Sequence, residues 1–365
     1  MASDEFSFIH KYFAYLDPTF NKQAQALGLT LGIGDDAALL KMDGTYAVTT
    51  DTLIENVHFF TNFNAKLLGA RAVEVNFSDI YAMGAQPQYV TLSLDIPERY
   101  MDFDEFWQQF SVGLEEALAR HHSFLIGGNV THTSNRSAPL VITVTAIGKT
   151  ALPGKSLRRN QAQVGDLIMV TNTLGANGVY VKTMYNNTLR NLDGDLRRNF
   201  ERHAFSYDES MYDFMPILLK YSKCGIDISD GLLGDLSHIL MQSHCRAILN
   251  YETLPLDDLS RSLLPELKIS PKSLLKMALN AGGDYNLLFT IAPDKHDKFL
   301  SEVALTPALK GLRLTTIGTI TETKEDSYDD NYLATDGGLI TIVNNQDEAV
   351  SLRLGTGSYN HFISN

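Results

Sequence analysis

The sequence predicts a mixed fold of the α/β or α+β class in two domains. Its 365 residues exceed what one hydrophobic core usually supports. Segments with the alternation of β-strands and segments with the spacing of amphipathic helices occur in both halves of the chain. Between the halves lies a polar, basic stretch with few apolar residues, from Pro153 to Gly165. We therefore expect an N-terminal domain over 1–152 and a C-terminal domain over 153–365.

The N-terminal half predicts helices and strands in alternation. Helices are expected from Phe6 to Leu16, over 65–84, and from a capping Asp104 to Leu118. Strands are expected over 46–50 (ending at Asp51), 90–96, 124–126 (running into Gly127-Gly128-Asn129) and 141–147. In the helix over 65–84, Val73, Phe77 and Ile80 share the apolar face, which places Asp79 on its polar flank.

The C-terminal half has the same mixed character. Strands are expected over 167–170, 287–291, 314–317 and 339–343, with a charged helical region near 190–215. The segment Ile226-Asp227-Ile228-Ser229-Asp230-Gly231 leads into a helix whose leucines and isoleucine, from Leu232 to Leu240, lie on one side. Asp227 and Asp230 therefore lie near the end of one element and the start of the next.

Composition and charge exclude several classes of protein. Apolar residues make up 44% and charged residues 20%, and no apolar run approaches the roughly 20 residues that span a bilayer. A formal charge of −13 disfavours nucleic acid and anionic membranes as partners. The two cysteines, Cys224 and Cys245, have no paired spacing, and the first residues are acidic. We expect neither a disulfide framework nor a zinc site nor a signal peptide, and a cytoplasmic location.

Two familiar phosphate-binding signatures occur only in part. Gly148-Lys149-Thr150 ends like a P-loop, but Thr143 occupies the position of the first glycine. Gly32-x-Gly34-x-x-Ala37 matches the relaxed dinucleotide fingerprint, but Asp35 and Asp36 would face a pyrophosphate with like charge. We therefore expect neither a P-loop nor a Rossmann site.

A set of carboxylates lies instead at the ends of the predicted elements, at Asp35, Asp36, Asp51, Asp79, Asp227 and Asp230. Each has a local alternative, since Asp51 could cap a turn, Asp79 could be solvated and Asp230 could cap the following helix. Together, beside Gly, Ser and Thr in tight turns, they supply the hard oxygen ligands that Mg²⁺ prefers when it bridges to ATP phosphates. The joint pattern predicts Mg²⁺-dependent phosphoryl transfer, which needs positioning and charge neutralisation more than a general base.

These motifs resemble one family over essentially the whole chain. The segments that carry the resemblance, in order, are Glu5-Phe6-x-x-Ile9-x-x-Tyr12-Phe13, Gly32–Ala38, Thr50–Leu53 with His58-Phe59, Val75–Ile80 with Ala82–Ala85, Gly165-Asp166, Ile226–Leu232, Asp284-Tyr285 with Leu287–Thr290, and Tyr359-x-His361-Phe362. In these segments the chain resembles thiamine-monophosphate kinase.

The resemblance implies a fold and a reaction. The fold would be that of aminoimidazole ribonucleotide synthetase, with an N-terminal sheet domain that pairs in a homodimer and a C-terminal α/β domain. ATP would donate its γ-phosphoryl group to thiamine monophosphate, giving thiamine diphosphate and ADP, with several Mg²⁺ ions. A need for K⁺ stays open.

The resemblance also assigns roles to individual residues. The metal ligands would be Asp36, Thr49, Thr50, Asp51, Asp79, Asp227 and Asp230. The ATP contacts would be Gly128, Asn129, Arg159 and Ser229, and the thiamine contacts would be His58, Gly283 and Tyr359. An arginine pairs well with phosphate oxygens, and a tyrosine can stack on the cationic thiazolium.

The chain lacks four acidic residues of the family and one arginine- and proline-rich segment. Asn129, Asn286 and Asn360 stand where the family has acidic residues, and Gly283 stands where it has a substrate-contacting glutamate. An arginine- and proline-rich patch expected around 197–210 is not recognisable. Two alternatives therefore stay open: a degenerate homologue that binds nucleotide or thiamine phosphates without turnover, and a related ATP-dependent enzyme with another acceptor.

Overall fold

Two units, Met1–Gly154 and Lys155–Asn365, make up the chain in the computed structural model, which describes residues 5–323 and 339–349. Both units combine helices with sheets, which confirms the mixed fold class. The boundary expected at 152/153 lies two residues before this division.

The strands of the first unit are β1 (Leu29–Leu31), β2 (Leu39–Leu40), β3 (Tyr46–Ile54), β4 (Ala85–Pro97), β5 (Phe124–Thr133) and β6 (Val141–Thr150). A two-stranded ribbon joins β1 and β2, and the other four form a sheet in the order β3-β6-β4-β5. The β4 and β5 strands run parallel, whereas β6 pairs antiparallel with both β3 and β4. Four strands extend beyond their predicted bounds: β3 continues past Asp51, β5 continues through Gly127-Gly128-Asn129, β4 begins already at Ala85, and β6 ends at Thr150.

The helices of the first unit are α1 (Glu5–Tyr12), α2 (Lys22–Ala26), α3 (Ala65–Ala82), α4 (Glu98–Met101) and α5 (Asp104–Arg120). The α3 helix covers the sheet and packs against α5. The two helices approach closely because a glycine lies at their crossing. A Cβ at Gly69 would lie 2.0 Å from the Phe110 carbonyl oxygen, so a larger residue would force the helices apart. Asp104, expected as a cap, is the first helical residue instead, and its carboxylate accepts hydrogen bonds from Lys11 and Tyr12.

The strands of the second unit are β7 (Leu167–Thr171), β8 (Cys224–Ile228), β9 (Arg246–Asn250), β10 (Asn286–Ile291), β11 (Leu314–Thr321) and β12 (Ile340–Val343). They form one sheet in the order β12-β9-β11-β7-β10-β8. The β9 and β12 strands pair in parallel, and the other pairs are antiparallel.

The helices of the second unit are α6 (Ala176–Tyr185), α7 (Gly194–Ala204), α8 (Met211–Tyr221), α9 (Leu232–Ser243), α10 (Asp258–Ser262), α11 (Leu264–Leu267), α12 (Pro271–Asn280) and α13 (Pro293–Ala304). The apolar side of α9 packs on Ile226 and Ile228 of β8 in a buried core, as its leucine spacing predicts. The charged region near 190–215 becomes the two helices α7 and α8.

Several elements were not predicted from the sequence, namely β1, β2, α2 and α4 in the first unit and α6, β9, α10, α11, α12 and α13 in the second. Over residues 5–323 and 339–349, no helix is both long enough and apolar enough to cross a membrane.

Candidate functional site

Three of the predicted metal ligands of the first unit lie together between β3 and α3. The Thr49 hydroxyl donates a hydrogen bond to Asp79 Oδ2 at 2.6 Å. Asn76, one helical turn before Asp79, accepts a hydrogen bond from the Asp51 backbone N–H through Oδ1 at 3.0 Å. Because Thr49 and Asp51 are two residues apart on a strand, both side chains face α3. The structure thus brings Thr49, Asp51 and Asp79 to one surface.

Thr50 lies on the other face of the sheet. Its hydroxyl is 2.8 Å from that of Thr145, and the next outward residue, Thr52, is 2.9 Å from Thr143 in the same way. Thr50 and Asp51 are adjacent on β3, so their side chains point in opposite directions. The side-chain hydroxyl of Thr50 therefore does not join the group formed by Thr49, Asp51 and Asp79.

Gly128 and Asn129 lie on β5, the strand at the opposite edge of the sheet from β3. Asn129 is opposite Ser93, so its side chain is on the open face, whereas Gly128 is opposite the buried Leu92. A Cβ at Gly128 would lie 1.9 Å from the Leu92 carbonyl oxygen, so only glycine fits there. Three strand spacings, about 14 Å in all, separate β5 from β3. Within one chain, Asn129 therefore lies far from the group around Asp79.

Asp36 lies in the exposed turn that follows β1. Its backbone N–H donates to Asp35 Oδ1 at 2.9 Å, and the element that follows Gly34 is the strand β2, not the helix that a dinucleotide fingerprint would open. Across the part of the chain that the structure describes, no three His, Cys, Asp or Glu side chains cluster as a metal site. Asp36, Asp51 and Asp79 therefore do not form a three-carboxylate cage.

His58 lies in an exposed loop after β3 that is held by hydrogen bonds. Its Nδ1 accepts from the Ile54 backbone N–H at 2.9 Å, so the ring carries its proton on Nε2. Glu55, the residue after Ile54, is buried, and its carboxylate accepts from the Leu140 N–H at 2.9 Å, from Tyr100 and from Arg99. The loop that presents His58 is thus anchored by a buried ion pair.

In the second unit, Asp227, Ser229 and Asp230 lie at the carboxyl end of β8. Asp227 is buried on the strand, and Ser229 and Asp230 form the turn into α9. Gly231 has φ +110 and offers no capping side chain. Asp235, from the first turn of α9, instead holds the turn before the helix, since its Oδ2 accepts from the Asp230 N–H at 3.0 Å. Burial raises the pKa of Asp235 to about 7.

Gly283 belongs to a segment that packs on this turn. Its N–H donates to the Ser229 carbonyl at 2.8 Å, and the Tyr285 N–H donates to the Ile228 carbonyl at 2.9 Å. Gly283 has φ +91, a conformation that favours glycine. The next residue, Asp284, accepts from the N–H groups of Gly175 and Asn177 at the start of α6.

Arg159 lies in a short 3₁₀ helix against α9, where its carbonyl accepts from the Ser243 hydroxyl at 2.7 Å. Its positive charge offsets a small part of the effect of burial, which keeps the pKa of Asp235 raised. Tyr359 and Asn360 lie outside the described residues.

Several residues that hold the candidate site in place were not predicted from the sequence. Asn76 and Asp235 both orient backbone beside predicted ligands, and the sequence signal was a polar residue on the buried side of a helix. The pair formed by His203 and Asp257, 2.6 Å apart, carried no sequence signal because 54 residues separate its members.

Comparison with known proteins identifies similar chains. Residues 34–150 match the model of the family described as AIR synthase related protein, N-terminal domain. The thiamine-monophosphate kinase of Buchnera aphidicola subsp. Schizaphis graminum is 32% identical over 100% of both chains.

Two solved structures resemble this one. The thiamine-monophosphate kinase of Stenotrophomonas maltophilia K279a is 32% identical, with a TM-score of 0.71, over 83% of this chain and 93% of that one. AaThiL, solved in complex with AMPPCP and TMP, is 24% identical, with a TM-score of 0.69, over 90% of this chain and 92% of that one. At 24% identity, the similarity to AaThiL is a similarity of fold.

Proposed function

This chain belongs to the thiamine-monophosphate kinase family, and we propose that it transfers the γ-phosphoryl group of ATP to thiamine monophosphate, producing thiamine diphosphate and ADP. The observation that carries the proposal is the full-length similarity to a thiamine-monophosphate kinase, joined to a group of hard oxygen donors on β3 and α3. ATP as the donor is part of this proposal and rests on the relationship to thiamine-monophosphate kinases.

Mg²⁺ is the cation that the donor set favours. Thr49, Asp51 and Asp79 offer hydroxyl and carboxylate oxygens on one surface, a fit for a hard divalent ion that keeps several waters. In the second unit, Asp227 and Asp230 would supply further carboxylates. When bound, Mg²⁺ neutralises the charge of the phosphates.

The reaction demands little acid–base chemistry from the chain. The acceptor is a phosphate whose oxygens are already nucleophilic at neutral pH, so the residues have to hold and align two anionic groups. Arg159 and the N–H groups near Gly128 would orient ATP, while His58 would present its Nε2–H to the thiamine compound. Asn129 in place of an acid lowers the negative charge that holds metal but keeps an oxygen ligand.

A homodimer is the assembly that the first unit favours. The face of the four-stranded sheet away from α3 is open: Val48 on β3 is 65% exposed, and Thr50 and Thr52 are exposed beside it. A sheet with one uncovered face that includes an apolar residue suits packing against a second copy.

The deciding experiment incubates the purified protein with Mg²⁺, ATP and thiamine monophosphate and follows thiamine diphosphate by chromatography. We expect product that depends on Mg²⁺ and on both substrates. Folded protein that binds ATP and thiamine monophosphate without turnover would instead support the binding-only alternative, which the replaced acids at Asn129 and Gly283 motivate. Turnover of another phosphorylated acceptor alone would support the related-enzyme alternative.

A further inference from the structure

The second unit has a groove of about 290 Å³ between α6 and α12, and none of its residues is among those proposed to hold ATP or thiamine monophosphate. The side chains that line it come from α6, from α12 and from the residue after α12, and they are Lys182, Ser273, Lys276, Met277, Asn280 and Ala281. We propose that this groove binds a small organic molecule that carries a phosphate group, at a site separate from the one that performs phosphoryl transfer.

The packing of the two helices forms the groove and directs both lysines to it. The helices touch at Gly178, where a Cβ would lie 2.5 Å from the Cβ of Ala281. Lys182 lies four residues further along α6, on the same side of the helix. The facing side of α12, with the spacing i, i+3, i+4 and i+7, consists of Ser273, Lys276, Met277 and Asn280. The two lysines therefore reach one groove from opposite walls.

The groove is positively charged on a protein that is acidic as a whole. Its lining contains two lysines and no acidic residue, whereas the chain has 43 acidic residues against 30 basic ones. Within the part of the chain that the structure describes, neither Lys182 nor Lys276 forms an ion pair with a carboxylate. Like charges that share a groove repel each other, so an anion between them is stabilised.

The charge and the donors of the groove match a phosphate monoester. Such a group carries about −1.5 to −2 charges at pH 7, which two ammonium groups balance, whereas a single carboxylate would leave one of them uncompensated. Each lysine offers three rotatable N–H donors. The Asn280 amide uses one N–H on the Lys276 carbonyl, at 3.2 Å, and its second N–H adds a further donor.

The apolar part of the lining favours an organic phosphate over a bare ion. Met277 and Ala281 offer carbon atoms to a ligand beside the two charged groups. Contact with these carbon atoms removes apolar surface of the ligand from water, which inorganic phosphate cannot provide. The expected ligand therefore combines a dianionic phosphate with an apolar group.

The backbone of Asn280 determines which residues the test should change. A Cβ at Gly231, the residue after Asp230, would lie 2.7 Å from the Asn280 carbonyl oxygen, so this end of α12 packs on the Asp230 turn. A change at Asn280 would disturb the candidate site as well as the groove. The lysine side chains project from the two helices further from that contact, and they are the residues to change.

The test measures binding of phenyl phosphate to the full-length protein by calorimetry, without Mg²⁺ or nucleotide and at low salt, where charge interactions are least screened. We expect saturable binding to the wild type. Lys182→Gln and Lys276→Gln should each weaken it about threefold and together about tenfold, because charge interactions of the strength typical of exposed pairs are lost. Lys268→Gln with Lys272→Gln removes the same net charge from exposed lysines that do not line the groove, and this control pair should bind like the wild type.

Each other outcome would overturn the proposal. No saturable binding to the wild type, or unchanged affinity in the folded groove variants, would show that the groove holds no such anion. Equal weakening by the control pair would indicate a general effect of charge. Succinate, a dianion without phosphate, should bind more weakly than phenyl phosphate, and equal affinity would refute the assignment of the ligand class.

A second measurement separates the groove from the proposed kinase. Turnover of thiamine monophosphate should be unchanged in the groove variants, because neither lysine belongs to the candidate site. Loss of turnover together with loss of phenyl phosphate binding, at an unchanged melting temperature, would place the anion at the candidate site and overturn the proposal. The binding result itself is independent of the kinase, since it is obtained without Mg²⁺ and without either substrate.

Discussion

At the scale of single residues, the phosphoryl-transfer hypothesis rests on a few oxygen atoms beside β3. The Thr49 hydroxyl and the Asp79 carboxylate are already in contact, and Asn76 holds the backbone of Asp51. Such preorganised groups act on developing charge without the cost of reorganisation.

Asp51→Asn and Asp79→Asn test these oxygens directly. We expect each change to lower turnover by about 100-fold or more, because a group aimed at developing charge typically contributes that much. Circular dichroism should remain unchanged, and Asp43→Asn, an exposed carboxylate paired with Lys149, is the control. Near-normal rates in both variants would remove the metal assignment.

The replaced acids give a second test. Asn129→Asp restores a carboxylate at an exposed position and should raise turnover at low Mg²⁺ concentration.

Gly283→Glu should lower the melting temperature, because a side chain at φ +91 costs about 1–2 kcal/mol. A Mg²⁺ titration of the rate, with thermal melts of each variant, checks both expectations. An Asn129→Asp rate equal to that of the wild type at every Mg²⁺ concentration would show that the lost acid is irrelevant.

The pair of His203 and Asp257 predicts a pH dependence of stability. The hydrogen bond to Asp257 raises the pKa of His203 although partial burial opposes the shift. The stabilisation from a raised histidine pKa is complete below about 6.5, the value in the unfolded chain, and is lost as pH rises through the folded value. His203→Gln should therefore lose more stability, relative to the wild type, at pH 6 than at pH 9. Urea unfolding across this range measures the difference, and a constant difference would contradict the prediction.

At the scale of elements, glycines decide how closely the parts of the site approach. Gly69 lets α3 cross α5, and Gly128 lets β5 lie against β4. The two adjacent glycines of β5 differ, since a Cβ at Gly127 meets nothing within 4 Å, whereas one at Gly128 would overlap the Leu92 carbonyl.

Because of this difference, Gly127→Ala is the matched control for Gly128→Ala in a measurement of stability. We expect Gly128→Ala to destabilise the protein by about 1–3 kcal/mol, because the backbone has to move to accommodate the methyl group. Gly127→Ala should be close to neutral. Equilibrium unfolding of both variants gives the comparison, and equal stabilities would mean that β5 can shift away from β4 without cost.

At the scale of the whole molecule, the open face of the four-stranded sheet bears on the oligomeric state. Its outward residues include Val48, Thr52 and Thr143, and the proposed homodimer would cover them. The helix-covered face, by contrast, is filled by α3 and packs apolar side chains of β4 such as Leu92 and Leu94.

Thr143→Glu tests this surface. A glutamate on β6 would place two symmetry-related charges in the covered face, so we expect a monomer where the wild type is a dimer. Light scattering coupled to size-exclusion chromatography measures the mass. Phe20→Glu, which changes an apolar side chain that is 89% exposed and belongs to none of the sheet's strands, should leave the mass unchanged. A dimeric Thr143→Glu protein would place the contact elsewhere.

Local patterns in the sequence were enough to predict the fold class, the family and most strands that carry acids, because periodicity and ordered motifs are properties of neighbouring residues. It also placed Asp79 on the polar flank of α3, where the structure has it beside Thr49.

Which of these residues share a surface became evident from the tertiary structure. It put Thr50 and Asp51 on opposite faces of one sheet, placed Asn129 at the far edge, and showed that Asp235 holds the Asp230 turn. It alone brought together the lining of the groove between α6 and α12, which combines Lys182 with residues from 273–281. Strand order, register and long-range packing set these relations, and they depend on contacts between residues that are far apart in the chain.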